Sequence, residues 1–265
     1  MSESDDEAIF RDAVRRTFKQ LDVWRRANGT FAPEPFSPLS EDDKSWPPMA
    51  ISQVAHGSLA AAVEHLQAIR VHVDVADGAG ENLFPLAHQT LVRTALLAAA
   101  QAVWLLAPDA SEVRLARHRK VQATVYSRHL EYLSRLKTIG DHEGTNTVAS
   151  QVAKRLDELQ QERRDRGEGQ KLLVSTRMIE EAARVTFDDE LIPQVLLAWQ
   201  SGSGAAHGFN WSLFGRIGTS QTSPANSAGI AEFTSEGSYG LFGNEYMAAY
   251  NLCDQGWKLL RKRSR

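Results

Sequence analysis

This chain has almost no sulfur chemistry: Cys253 is its only cysteine. An intrachain disulfide and a cysteine-based zinc cluster are therefore excluded, and a reducing, cytoplasmic setting is the expectation. Long apolar runs are also scarce. The longest, 91–106, is interrupted by Arg93 and Gln101 and is too short for a bilayer, so it reads as a buried helix with no membrane partner. The opening Met-Ser-Glu-Ser-Asp-Asp-Glu is the reverse of a basic-then-apolar secretion signal. Excess charge of one sign is missing too. A net charge of -3 gives no global field to recruit nucleic acid or an acidic membrane. No internal repeat, low-complexity tract or recognisable catalytic signature is found.

Helical periodicity is what the chain does have. At 265 residues and 42% hydrophobic content it can build one substantial core. Ser4-x-x-Glu7 reads as a capping box, and Phe10, Val14, Phe18, Leu21 and Trp24 extend an amphipathic helix over 5–27. Five prolines between 30 and 48 predict an extended connector anchored by Phe31, Phe36 and Trp46. Helices follow at 50–73, 83–106, about 109–139, 148–166, 175–185, 186 to about 206, and 244–263. Glycine-bearing breaks are expected at 74–80 and 140–146. Asp109-x-x-Glu112 and Thr186-x-x-Asp189 read as caps. Segments 209–217 and 230–242 leave room for a short β-hairpin. The expected fold is all-α: one bundle of about eight helices, with 1–48 as a helix and connector packed on the 49–265 bundle.

The densest chemical signal is Ser201-Gly-Ser-Gly-Ala-Ala-His207-Gly-Phe-Asn-Trp211. Glycine this frequent at a helix end lets another backbone or a ligand come close. On a helix Ser203 and His207 share a face, with Trp199 a turn earlier. No carboxylate is spaced to orient the ring, so a serine-hydrolase triad is incomplete. Two readings follow: a close helix crossing with His207 hydrogen-bonded inside, or a working histidine. Arg93 lies among Leu91, Val92, Leu96 and Leu97, where a guanidinium needs a carboxylate, a helix C-terminus or an anion. It is either a structural ion pair or an anion-binding group facing His207, and Gln101 could extend the same polar seam.

Arg114, Arg117, His118, Arg119 and Lys120 could grip phosphates, but the run reads first as a wet helix face. The basic end, Lys258 to Arg265, reads as a solvated tail. His56, His65 and His72 lack the spacing of a metal pair on one helix, and no metal or cofactor is expected. Trp104, Trp199 and Trp211 are candidate walls of a small-ligand pocket.

Two of these segments resemble known proteins. Residues 93–108 (RTALLAAAQAVWLLAP), followed by the basic run 114–120, and the Ala-His-Gly end of 199–208 are similar to an uncharacterised, mostly actinobacterial all-helical family. That family in turn resembles, distantly, the HEPN helical domains. The resemblance implies a homodimer, RNA or nucleotide as ligand, and metal-independent ribonuclease activity of the toxin–antitoxin or defence kind. The HEPN motif is an arginine, four to six residues, and a histidine. His207 matches the histidine, while none of Gln200, Ser201 and Gly202 is basic, so Arg93 would have to serve in that arginine's place. The resemblance thus implies His207 and Arg93 as catalytic residues, and Ser203, on the helix face of His207, joins them as a candidate. The alternative is a non-catalytic helical scaffold or dimer with a protein partner, whose glycine-rich turn is an interface.

Overall fold

The structure, a computed structural model, describes residues 3–75, 80–140 and 144–265. Within them lie ten α-helical segments and one two-stranded hairpin. The order is α1 (Glu3–Arg16), α2 (Phe18–Arg26), α3 (Pro38–Asp43), α4 (Ile51–Val73), α5 (Ala87–Leu106), α6 (Ser111–Ile139), α7 (Thr145–Asp165), α8 (Ser175–Thr186), α9 (Ile192–Ala206), β1 (Thr219–Gln221), β2 (Phe233–Ser235) and α10 (Tyr239–Arg263). The expected all-α bundle with a short hairpin is therefore the fold.

α5 is the axis, and α4, α8, α9 and α10 pack around it. Its alanines at 95, 99, 100 and 102 are all buried and let the neighbouring helices approach. Among the described residues it is the one helix long and apolar enough to cross a membrane, and 61% of its apolar window is buried inside the bundle. A second, smaller core joins α6 and α7 through Ala123, Tyr126, Leu133, Val152 and Leu159.

Several local expectations are corrected. The first helix is a rod broken at Thr17, whose hydroxyl donates to the Val14 carbonyl at 2.6 Å and meets the Tyr246 hydroxyl at 2.7 Å. The connector is not wholly extended. Ser37 caps α3, which buries Leu39 and Asp42. Phe36 is no anchor: it is 89% exposed. Phe31 does stack on His56, and Trp46 donates its indole N–H to the Tyr126 hydroxyl. Asp109 does not cap α6; its carboxylate holds Arg263 at 2.6 Å. Thr186 ends α8 instead of starting α9, because its hydroxyl bonds back to the Ala182 carbonyl.

The side chain of Ser4, and residues 76–79 and 141–143 of the expected breaks at 74–80 and 140–146, lie outside the described residues. Glu7 has a different role from the one expected of it. Its carboxylate accepts the backbone N–H groups of Tyr239 and Gly240 and so caps α10.

Candidate functional site

α9 carries Pro193 in its first turn and ends in a tight left-handed turn. Gly208 has φ 72°, its N–H bonds the Ala205 carbonyl, and the Phe209 N–H bonds the Gly204 carbonyl, both at 2.9 Å. This 5→2 and 6→1 pair is a Schellman motif, and only glycine takes the turn without strain. The two glycines inside α9 do different work. Gly202 lies on α5: a Cβ there would stand 2.6 Å from Arg93 Cβ and 3.0 Å from the Gln89 carbonyl oxygen. Gly204 lies under the Trp211 indole, whose ring would be 2.6 Å from a Cβ. One allows the helix crossing; the other seats an aromatic ring that the turn brings back over the helix.

The result is a shallow cleft of about 270 Å³ at the end of α9, lined by Trp199, Gln200, Ser203, Gly204, His207, Phe209 and Trp211. His207 is exposed. Its ring stacks on Phe209 with centroids 5.6 Å apart and an interplanar angle of 29°. Among the described residues neither its ring nitrogens nor the Ser203 hydroxyl has a hydrogen-bond partner. The expected burial of His207 inside a helix crossing is thus corrected, because the Schellman turn points the cap residue to solvent. Ser203 and His207 share the cleft without bonding each other.

Arg93 reaches the same corner from α5. Its guanidinium carbon lies 4.3 Å from the centre of the Trp199 ring. Its Nε is buried without a hydrogen-bond partner, and among the described residues it forms no ion pair. Burial alone lowers its pKa from the usual arginine range. A guanidinium stacked on indole and lacking a counter-charge is an anion site electrostatically. Trp199 is the side chain that Arg93 and the cleft have in common.

The other candidates lie elsewhere. Gln101 donates to the Ser58 hydroxyl at 2.8 Å and ties α5 to α4. Trp104 donates to Glu181 at 2.7 Å beside Arg117, near α8. It lines a different cavity from Trp199 and Trp211, so the three tryptophans do not wall one pocket.

The wet face expected of the basic run is overturned. Arg114, His118 and Arg119 are buried. Arg114 pairs with Asp42 at 2.6 Å and also donates to the Pro108 and Asp109 carbonyls. Arg119 pairs with Glu168. The tail is corrected at Arg263, which is buried and donates to the carbonyls of Leu106, Ala107 and Pro108 at the end of α5. His72 Nδ1 and His88 Nε2 stand 3.0 Å apart, a pairing the sequence reading missed because it considered spacing along one helix only. Among the described residues no group of three or more His, Cys, Asp or Glu side chains could hold a metal ion.

No known family model, curated protein or solved structure matches this chain.

Proposed function

We propose that the protein binds RNA or a nucleotide at the α5–α9 corner, with the half-exposed Trp211 receiving a base and Arg93, stacked on the buried Trp199, a phosphate. The observation that carries this reading is Arg93: partly buried, stacked on Trp199, and without a counter-charge among the described residues. Aromatic side chains beside a cation are the means by which single-stranded nucleic acid is held without sequence readout. Each base stacked on an aromatic ring is worth about 1–3 kcal/mol. With a net charge of -3 the molecule has no global attraction for phosphates, so binding through Arg93 is expected to weaken only modestly with added salt.

The reading is binding in preference to cleavage. An imidazole could move a proton from a 2′-hydroxyl and a guanidinium could steady the phosphate charge. Yet His207 is exposed, and no described side chain orients its ring by a hydrogen bond. In the serine-protease triad a hydrogen-bonded partner fixes the tautomer and orientation of the working imidazole, and His207 has none among the described residues.

Fluorescence anisotropy with a labelled single-stranded RNA tests the proposal at low and moderate salt. Trp211→Ala and Arg93→Gln should each weaken binding about tenfold or more, as loss of one stack or one phosphate contact requires. The RNA should remain intact with both the native chain and His207→Ala. Affinity unchanged in both binding variants sinks the assignment of this corner.

A homodimer through the same face is the second reading. Phe209 and Trp211 are exposed at the cleft, and the segment that follows exposes Phe214, Ile230 and Phe233, with the Phe214 and Phe233 rings 5.0 Å apart. Light scattering on the native chain and on Phe214→Glu separates a dimer, which the charge would disperse, from a monomer.

A further inference from the structure

A second cavity, independent of the α9 corner, lies where α6 faces the end of α7, the segment 168–174 and the start of α8. Its volume is about 650 Å³, within the range of small-molecule sites. Five cations line it: Arg117, Lys120, Arg163, Lys171 and Arg177. The two carboxylates on its wall are already engaged. Glu181 accepts from Trp104, Arg117 and Arg177. Glu168 serves Arg119 and lies 3.9 Å from Arg163 Nε, too far for a hydrogen bond. Lys120 and Lys171 form no ion pair among the described residues. In a chain of net charge -3, the wall thus carries a local excess of three positive charges.

Arg163 is the informative member. It is 1% exposed, yet only its Nη2 is hydrogen-bonded, to the carbonyls of Gly169 and Lys171. Nε and Nη1 are buried without partners. Burial lowers its pKa, and the neighbouring Arg119 adds to the strain while Glu168 partly relieves it. A buried guanidinium with three idle N–H donors is costly unless an anion completes it. Apart from Gln170 the remaining side chains of the wall are apolar, among them Trp104, Val113, Ala116, Leu173 and Met178.

We propose that this cavity is a binding site for a small amphipathic anion, with an acidic head at Arg163 and Lys120 and an apolar body against Trp104, Leu173 and Met178. Neither the head nor the body alone satisfies both halves of the wall.

The full chain is titrated by thermal shift with octanoate, with octanol as the uncharged analogue and with inorganic phosphate as the head alone, at matched ionic strength. Octanoate should raise Tm saturably, as a ligand binding only the native state must. Octanol and phosphate should each give less than a third of that rise. Lys120→Glu, which reverses the charge at the wall, and Ala116→Trp, which fills the cavity without touching a charge, should each remove the octanoate shift measured against the variant's own unliganded Tm. If one variant fails to fold, the other decides. Trp211→Ala should leave the shift intact, because that side chain belongs to the other cleft. Equal shifts from octanol or from phosphate, no shift at all, or a shift surviving in a folded variant overturns the proposal.

Discussion

Two histidines in this molecule are held neutral by their surroundings. His88 is fully buried, packed at a tilt against the Phe242 ring and 3.0 Å from His72. Burial first and repulsion from His72 second push its pKa down to about 4. His118 is lowered to about 4 as well, chiefly by burial, although Asp42 and a backbone hydrogen bond at Met49 act the other way. In the unfolded chain both return to about 6.5. Between pH 6.5 and pH 4 the unfolded state therefore binds more protons than the native state. The stabilisation from each neutral ring is fully present above about pH 6.5 and is lost as pH falls toward 4. Between pH 7.5 and pH 5 the loss should be about 2 kcal/mol per histidine. Urea titrations at the two pH values measure it, and replacing His118 by Gln should remove roughly half of the difference. A stability flat over this range would mean that both rings stay solvated enough to protonate in place.

Helix ends and crossings decide the next level, and glycine shows how. Gly57 lies in α4 with nothing within 4 Å of where its Cβ would be, so Gly57→Ala should stabilise by about 0.5–1 kcal/mol through helix propensity alone. Gly202 is also helical, yet its Cβ would press on Arg93 Cβ and on the Gln89 backbone. Gly202→Ala should therefore destabilise by about 1–3 kcal/mol, because backbone cannot step aside as a flexible side-chain end can. Opposite signs in urea melts are the expected result. Two stabilising substitutions would mean that α9 does not cross α5 closely at this point. The same distinction explains what could be read in the sequence. Periodicity located the long helices, since it is a property of one segment. Caps and covers were misread wherever a distant segment intervened: Arg263 takes Asp109 from α6, and Asp42 of the proline-rich connector covers Arg114. The glycine-rich end of α9 was legible as a close approach. The outward direction of His207 was not, because it depends on the Gly208 turn and on Trp211 lying back over Gly204.

At the scale of the whole molecule the two apolar cores are unequal. The larger one gathers α4, α5, α8, α9 and α10 around fully buried side chains such as Leu59, Leu66, Leu96 and Leu105. The smaller one rests on five buried residues of α6 and α7, and α7 packs chiefly against α6. Free energies of local opening follow the apolar contacts that must be broken, so α7 should open as a unit well before α5. In hydrogen exchange at low urea, amides of 148–162 should exchange at lower free energy than those of 91–104. Leu159 is fully buried at the centre of the smaller core. Leu159→Ala should lower the protection of α7 by about 2–5 kcal/mol, the usual loss for a buried leucine, while the slowest amides of α5 change far less. Exchange of α7 as slow as that of α5, falling in parallel with it in Leu159→Ala, would mean that the two cores melt as one.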